Sequence, residues 1–359
     1  MRIALLGTRG IPANYGGFET FAEELSTRLV ERGHDVAVYC RQRHEPSVYR
    51  GVRLITLPTI SHKYFDTLAH TFLSTVHLVA HPVDAALYCN AANALFTMLP
   101  RLAGVPVALN VDGIERKRRK WNWLARSWYL ISERLATLLP NLVVTDAEAI
   151  RQYYQERYGK DSVFIPYGAD TERVSTKAVL DELGLEPCRY FLYVSRLEPE
   201  NRALEVREAF EQVETPLKLA LIGNAPYADE YIARVRDTKD PRIVMPGGVY
   251  GQGYRELGSW CFAYIHSTEV GGTHPALIEA MGRGALVIYF DTAENREVCG
   301  DAGLPYTDDT GLVDRMRQTL EMSEDERNEY RAKAVARIKA RYDWDVVTTQ
   351  YETLLQGLR

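Results

Sequence analysis

The stretch from Glu269 to Gly282 carries residue types that bind phosphate and ribose. Gly271, Gly272 and Thr273 precede a predicted helix. Their backbone amides and the threonine hydroxyl are therefore placed to receive phosphate oxygens, with help from the helix dipole. Glu279 lies two turns into that helix, where its carboxylate is placed to accept hydrogen bonds from ribose hydroxyls. The alternative for Glu279 is a solvated charge on the helix surface.

Two arginines follow a predicted buried strand in the same half of the chain. Arg196 and Arg202 stand just after that strand. A guanidinium group suits a diphosphate, because its planar fork donates paired hydrogen bonds and stays charged. A surface salt bridge to Glu198 or Glu200 explains each arginine equally well when it is taken alone.

A glycine-rich loop joins the first predicted strand to the first predicted helix over residues 7–19. Open α/β sheets bind ligands beyond the carboxyl ends of their strands. Gly16 and Gly17 let backbone amides approach a ligand at a helix N-terminus, which is a natural anion site. The loop lacks the G-x-G-x-x-G pattern of dinucleotide-binding proteins. We expect it to bind a ligand, because its polar residues have no core to fill.

A run of cations stands beside tryptophans: Arg116, Lys117, Arg118, Arg119, Lys120, Trp121 and Trp123. Cations bind anionic headgroups, and amphipathic indole rings favour the membrane boundary. We predict that this patch contacts the inner membrane surface or a polyprenyl-diphosphate-linked acceptor. A nucleic-acid patch is the rival, but the net charge of -5 argues against it. A merely solvated face explains the cations better than the tryptophans.

The elements that must position these residues form two similar sets. Short continuous apolar runs alternate with helical patterns at 3–6, 36–39, 85–89, 105–111, 142–145 and 163–165, and again at 190–194, 218–222, 243–245, 262–265 and 286–289. Continuous apolarity favours strands covered on both faces, as in a parallel sheet flanked by helices. A capping box at Thr20–Glu23 predicts the start of the first helix, and another at Ser323–Glu326 the start of a late one.

Composition narrows the class of protein. The chain is 46% hydrophobic and 25% charged, as in soluble globular proteins. No apolar run reaches the roughly 18 residues of a spanning helix. Five scattered cysteines without a C-x-x-C pair indicate a reduced, cytosolic protein. The only D-x-D, Asp343–Asp345, opens the last predicted helix and suits capping, so we predict no catalytic metal and no cofactor.

Taken in order, these motifs resemble those of retaining GT-B glycosyltransferases of family 4. The resemblance rests on residues 269–282, 195–201 and 165–170 and on the C-terminal helix with Trp344. Residues 10–20, 110–113 and 295–297 are similar to the subgroup that includes bacterial rhamnosyltransferases. Two departures stand out. Nine residues separate Glu269 from Glu279 where the family has seven, and Asn201 replaces the usual lysine.

The resemblance implies an α/β fold of GT-B architecture, with two Rossmann-like domains facing a cleft. Residues 1–168 would be the acceptor domain and residues 169–342 the nucleotide-sugar donor domain. Residues 343–359 would form a helix that crosses back to the first domain.

The resemblance also implies an activity: metal-independent transfer of rhamnose from dTDP-rhamnose to a saccharide or lipid-linked saccharide in cell-envelope polysaccharide synthesis. The enzyme would be cytoplasmic and peripheral to the plasma membrane. Its catalytic residues would be Asp112, Arg196 and Glu269, although Asp112 also suits a simple Asp-Gly turn. The donor would contact Gly16, Gly17, Arg196, Asn201, Arg202, Gly271, Gly272, Thr273 and Glu279. The alternatives are a sugar-nucleotide epimerase of the same fold and a non-catalytic sugar-nucleotide-sensing module.

Overall fold

The structure, a computed structural model, describes residues 1–13, 16–60, 62, 65–119, 121–226 and 228–358. The chain divides into two compact units. The first contains Met1–Gly168, Gly271–Thr273 and Trp344–Arg359, and the second contains Ala169–Val270 and His274–Asp343. The short segment Gly271–Thr273 thus belongs to the first unit although the sequence around it belongs to the second.

The first unit is built on an eight-stranded sheet. Its strands are β1 (Arg2–Leu6), β2 (Asp35–Cys40), β3 (Val48–Tyr49), β4 (Val52–Thr56), β5 (Ala85–Cys89), β6 (Val107–Asn110), β7 (Leu142–Thr145) and β8 (Val163–Phe164). They lie in the order β3-β4-β2-β1-β5-β6-β7-β8, and only the β3–β4 pair is antiparallel. All residues of β5 are buried, as expected for a strand with helices on both faces.

Five helices flank this sheet before the chain leaves the unit: α1 (Gly17–Glu31), α2 (Asp66–Ala80), α3 (Met98–Leu102), α4 (Trp123–Ala136) and α5 (Glu148–Tyr158). The predicted start of α1 is wrong, because the helix begins three residues before Thr20, with Gly16 as its N-cap. Glu23 does not cap the helix. Its carboxylate accepts hydrogen bonds from the Ala13 amide at 2.6 Å and the Tyr49 hydroxyl at 2.9 Å.

The second unit has a six-stranded parallel sheet. Its strands are β9 (Tyr190–Val194), β10 (Lys218–Ile222), β11 (Ile243–Gly247), β12 (Ala263–His266), β13 (Val287–Phe290) and β14 (Gly303–Tyr306), in the order β11-β10-β9-β12-β13-β14. The sequence analysis missed β14, an edge strand that contains Pro305, and edges are where a sheet tolerates proline. A core that includes Phe191, Leu219 and Ile265 fills the interior.

The helices of the second unit are α6 (Ala178–Leu183), α7 (Ala203–Glu211), α8 (Asp229–Arg236), α9 (Gly251–Trp260), α10 (Pro275–Gly282), α11 (Ala293–Cys299), α12 (Asp309–Glu321) and α13 (Glu324–Arg341). The capping box at Ser323 and Glu326 is confirmed at the start of α13. No helix among the described residues is long and apolar enough to cross a bilayer.

The last helix, α14 (Trp344–Gly357), packs on the first unit, as the resemblance implied. Trp344 is buried against Gly168, where an added Cβ would come within 2.3 Å of the indole. The guanidinium of Arg28 lies 5.3 Å from the centroid of the same ring. Further along the helix, the ring of Tyr351 packs on Phe21 at 5.2 Å. These contacts tie the end of the chain to α1 and to the end of β8.

We predict that Trp344→Ala destabilises the protein by about 3–5 kcal/mol, because it empties a buried aromatic site. Urea denaturation followed by circular dichroism measures the effect. Gln350→Ala on the exposed face of α14 is the matched control and should stay close to the parent. Equal effects of the two substitutions would contradict the packing described for α14.

Candidate functional site

Each sheet reverses its strand order at one place, and polar residues gather there. The reversal falls between β1 and β5 in the first unit and between β9 and β12 in the second. At such a point, neighbouring loops leave the strands toward opposite faces and open a crevice for ligands. The candidate site residues therefore belong to two groups, one at the carboxyl edge of each sheet.

The loop after β9 in the second unit positions Arg196. Asn201 is buried, and its side-chain amide donates to the Arg196 carbonyl at 2.7 Å. The hydroxyl of Tyr193 donates to the Asn201 carbonyl at 2.7 Å. Asn201 thus stabilises the conformation of this loop. The sequence analysis did not foresee this structural role. The Arg196 side chain remains partly exposed, with Glu198 at 3.9 Å.

Arg202 and Glu269 come together at the reversal in the second sheet. Arg202 has a left-handed backbone conformation with a φ of 61°, and Nη1 donates to the Glu269 carboxylate at 2.8 Å. Its other Nη donates to Asp309, and the guanidinium lies 4.6 Å from the centroid of the Phe290 ring. The loops that follow β9 and β12 are thereby joined by an ion pair. The two predicted site residues are partners in this structure.

Helix α10 carries the predicted ribose ligand Glu279. His274 is its N-cap and Pro275 its first residue. The Glu279 carboxylate lies 3.7 Å from the guanidinium of Arg283. Burial raises the pKa of Tyr254 well above its ordinary value, and the charge of Glu279 beside it adds to this effect. Glu279 therefore belongs to a polar cluster in the second unit and is not a solvated surface charge.

The glycine segment of the predicted phosphate site lies against the ends of β6 and β7 in the first unit. The Thr273 amide donates to the Asp146 carboxylate at 2.9 Å, and the Thr273 hydroxyl donates to the Asp146 carbonyl. A Cβ on Gly272 would come within 2.1 Å of the same carboxylate. The expectation that Thr273 offers its amide and hydroxyl to a phosphate therefore needs correction, because Asp146 takes both donors.

Asp112 stands beside Asp146 in a strained backbone conformation. Its φ is 53°, which is uncommon for a residue with a side chain. The Asp112 amide donates to the Asn110 side chain at 3.0 Å, which holds the turn. Burial raises the pKa of Asp146 well above its ordinary value, with the charge of Asp112 and a hydrogen bond with it as further causes. The sequence analysis selected Asp112 and overlooked Asp146.

The glycine-rich loop of the first unit is held by carboxylates of α1. The Glu19 carboxylate accepts a hydrogen bond from the Arg9 amide at 2.9 Å. Gly7 has a φ of 91°, and an added Cβ would come within 2.3 Å of the Cys89 carbonyl oxygen. The loop thus leaves β1 in close contact with the end of β5. Gly16 and Gly17 stand at the start of α1 as N-cap and first residue.

The predicted run of cations separates into inward and outward residues. Arg118 is buried and bonds the Glu115 carboxylate at 2.6 Å, so it leaves the exposed patch. Arg116 is half-buried, and its guanidinium lies 3.0 Å from the Glu133 carboxylate. Lys120 lies outside the described residues.

The outward part of this region forms a basic surface with apolar neighbours. Lys117, Arg119 and Trp123 are exposed, whereas Trp121 packs on Tyr129 with ring centroids 5.5 Å apart. A cavity of about 410 Å³ lies beside these residues and is lined by Arg116, Lys117, Arg126, Ser127 and Leu130. The sequence analysis did not single out Ser127 and Leu130. The cavity offers cationic and apolar groups side by side.

Within the described ranges, no three His, Cys, Asp or Glu side chains are grouped to hold a metal ion. Asp343 precedes α14 and Asp345 lies in its first turn, as expected for capping residues. The five cysteines form no disulfide bond.

Two protein families match this chain, one in each half of its sequence. Residues 1–170 match a domain of unknown function (DUF1972), and residues 188–322 match the family of glycosyl transferases group 1. The match to glycosyl transferases group 1 is confined to this one domain. That domain includes Arg196, Arg202, Glu269 and Glu279.

One curated relative is similar to about half of the chain. It is the N-acetylgalactosamine-N,N'-diacetylbacillosaminyl-diphospho-undecaprenol 4-alpha-N-acetylgalactosaminyltransferase of Campylobacter jejuni, 28% identical over 176 residues. The match covers 48% of this chain and 47% of the relative, so it spans about half the length of that enzyme.

Solved structures match this chain over nearly its whole length and establish a GT-B fold. Anabaena Alr3699/HepE in complex with UDP and glucose has a TM-score of 0.80 at 16% identity, covering 99% of this chain and 100% of that one. WaaG, a glycosyltransferase involved in lipopolysaccharide biosynthesis, has a TM-score of 0.74 at 16% identity over the same shares. The expected α/β architecture with two Rossmann-like halves is confirmed.

We predict that Gly113→Ala and Gly272→Ala each destabilise the first unit by about 1–3 kcal/mol, since neither site has room for a methyl group. A Cβ on Gly113 would come within 2.5 Å of the Gly271 backbone. Thermal unfolding measures the loss. Gly357→Ala is the control, because no atom lies within 4 Å of the Cβ it would add. Wild-type stability in the Gly272 variant would contradict the contact with Asp146.

Proposed function

We propose that this protein is a retaining glycosyltransferase that moves a sugar from a nucleoside diphosphate donor to a lipid-linked saccharide. One observation carries the proposal. Arg196, Arg202 and Glu269 gather where the strand order of the second sheet reverses, inside the part of the chain that matches glycosyl transferases group 1. A crevice at such a reversal is the usual ligand site of an open parallel sheet.

The donor diphosphate would lie beside Arg196. Arg196 stands on the loop after β9, and buried Asn201 supports that loop through a hydrogen bond to the Arg196 carbonyl. Arg202 is already joined to Glu269 and Asp309, so we assign it mainly to loop geometry and to the local positive potential. Glu279 at α10 would bind the ribose. Backbone amides of the Gly271–Gly272 segment complete the donor site.

The chemistry would be electrostatic and metal-independent. An acceptor hydroxyl attacks the anomeric carbon on the face from which the diphosphate leaves, and the departing phosphate takes the proton. Arg196 and the dipole of α10 stabilise the charge that develops on the diphosphate. Asp112 and Glu269 would orient the donor sugar and the acceptor.

The names of two similar proteins support a nucleotide-sugar donor and a lipid-linked saccharide acceptor. The Campylobacter jejuni relative is named for a saccharide acceptor carried by diphospho-undecaprenol, and HepE has been solved with UDP and with UDP-glucose. Resemblance to the rhamnosyltransferase subgroup favours dTDP-rhamnose as the donor. A lipid-linked acceptor would place the reaction in cell-envelope polysaccharide synthesis.

A basic and apolar surface of the first unit supports peripheral binding at the inner face of the plasma membrane. Along α4 the exposed fractions of Trp123, Leu124 and Ile131 are 73%, 57% and 53%. Exposed Lys117 and Arg126 stand among them, and the nearby acids Glu115 and Glu133 are buried and paired inward. Exposed cations and apolar side chains without exposed acids match an anionic bilayer surface. The neighbouring cavity would receive the acceptor diphosphate.

The deciding experiment follows nucleoside diphosphate release from a panel of nucleotide sugars, with and without a polyprenyl-diphosphate-linked saccharide and with and without EDTA. We expect release that depends on the acceptor and is insensitive to EDTA, with one donor preferred. Sugar isomerisation without an acceptor would favour the epimerase. Tight nucleotide binding without any turnover would favour the sensing module.

We predict that Arg196→Ala lowers kcat/KM by roughly 10²-fold, because the leaving diphosphate loses a charged donor. Arg196→Lys should lose less, since it keeps the charge but not the planar fork. Steady-state kinetics with the preferred donor gives both values. Arg236→Ala, an exposed arginine of α8, serves as the control and should leave turnover unchanged. An Arg196→Ala variant with wild-type kinetics would exclude this arginine from the donor site.

We predict that the double variant Lys117→Ala and Arg126→Ala binds anionic vesicles about ten- to thirtyfold more weakly, at about 1 kcal/mol for each lost cation. Sedimentation with phosphatidylglycerol vesicles measures the affinity, and added salt should weaken wild-type binding. The matched control removes two exposed cations of the second unit, Arg236 and Lys239. Equal losses in both double variants would show that net charge, and not this surface, directs binding.

A further inference from the structure

Two carboxyl groups share one site at the ends of β6 and β7, and the proposed mechanism uses only one of them. Asp146 is completely buried. One oxygen of its carboxyl group accepts the Thr273 amide hydrogen bond at 2.9 Å. Asp112 interacts directly with it from the neighbouring strand end. Two neighbouring carboxyl groups in a buried site cannot both remain ionised without a strong positive charge beside them.

The nearby cation supplies only part of that counter-charge. Arg118 is the cation that acts on Asp112, and its Nε bonds the Glu115 carboxylate at 2.6 Å. With both aspartates ionised, these four side chains would carry three negative charges and one positive charge. A single proton on the pair removes the like-charge contact, and the fully buried member is where that proton costs least.

We propose that Asp146 is a positioning residue that keeps a proton in the working enzyme, donates it in a hydrogen bond to the Asp112 carboxylate, and anchors the Gly271–Thr273 segment with its other oxygen. This proposal rests on the proposed transferase function, because Asp112 is the sugar-orienting group that Asp146 would hold. A protonated carboxyl group has the required donor and acceptor, whereas a carboxylate can only accept.

The carboxyl group of Asp146 has two roles in this proposal. Its acceptor oxygen fixes Thr273, and Gly272 passes so close to the carboxyl group that only glycine fits there. Its proton leaves Asp112 as the single negative charge of the pair. Loss of the proton would set two carboxylates against each other and loosen both the strained Asp112 turn and the glycine segment.

The pH dependence has a defined sign. Burial and Asp112 raise the pKa of Asp146 in the folded protein above its unfolded value of about 3.9. The native state therefore binds more protons, and this contribution to stability is full at low pH and is lost as pH rises through the folded pKa.

Titratable and charged groups on several elements surround the pair. Asp112 faces Asp146 from the loop after β6, and Glu115 and Arg118 of the same loop act on Asp112. Tyr167 and Tyr351 face Asp146 from other elements, and Cys89 faces Asp112. Burial raises the pKa of each of the three above its ordinary value, so they stay neutral.

The test uses Asp146→Asn, because an asparagine amide donates to Asp112 and its oxygen accepts from Thr273, as a protonated aspartate would. The thermal midpoints of wild type and variant are compared across roughly pH 5 to pH 9. Wild type should lose stability as pH rises, and the variant should lose clearly less. Asp161→Asn, an exposed aspartate of the same unit, should keep the wild-type slope.

Transferase activity adds a second measurement. Asp146→Ala should lose roughly ten- to a hundredfold in kcat, and Asp146→Asn should recover most of that loss and show a weaker alkaline decline than wild type. An Asn variant as impaired as the Ala variant, or one with the wild-type stability slope, would overturn the proposal. If Asp146→Ala does not fold, the comparison of wild type with Asp146→Asn decides alone. If wild type transfers no sugar, the proposed function fails, while the stability profiles still decide the protonation of Asp146.

Discussion

Helices cover both faces of each sheet, so polar side chains that serve a site can lie only where the strands end. This constraint orders the whole molecule. The strands β5 and β12 are buried along their length, and β1 and β9 are buried at all but one residue each. Burial of unpaired polar groups is costly. Apart from Glu279, which lies within α10, the candidate groups of the donor site and of the carboxyl pair therefore follow a strand or stand near the start of a helix. Reversal of the strand order then decides which of those ends lie together.

Much of this arrangement can be predicted from the sequence, because continuous apolar runs such as Ala85–Cys89 leave little alternative to a buried strand. Tertiary contacts decide the rest. The start of α1 was misjudged because Thr20 and Glu23 satisfy a local capping pattern, whereas Glu23 is used by the Ala13 amide ten residues earlier. β4 was missed since it is only partly buried.

Some residues of the candidate site could be predicted from the sequence, and others could not. Arg196, Glu269 and Glu279 could be selected because charged residues directly after strands or near helix starts are local features. Asp146 has no such signal, since its importance comes from Thr273, 127 residues away. The inward orientation of the Arg118 side chain could not be predicted either. A run of like charges does not indicate which of its members pairs with a buried acid such as Glu115.

The two units offer different kinds of electrostatics. The second unit offers arginine and a helix dipole, which favour a diphosphate and its developing charge. The first unit offers a carboxyl pair limited to one negative charge, together with a basic, apolar surface suited to a lipid-linked substrate. A glycosyltransferase needs both a site that stabilises a leaving group and a site that orients an uncharged sugar hydroxyl.

The most direct test of the central claim is a crystal structure with a nucleoside diphosphate bound. The account predicts that the diphosphate lies at the carboxyl edge of the second sheet, within hydrogen-bond distance of the Arg196 guanidinium, with the ribose at Glu279. A diphosphate bound instead at the glycine-rich loop after β1, with Arg196 and Glu279 untouched, would contradict it.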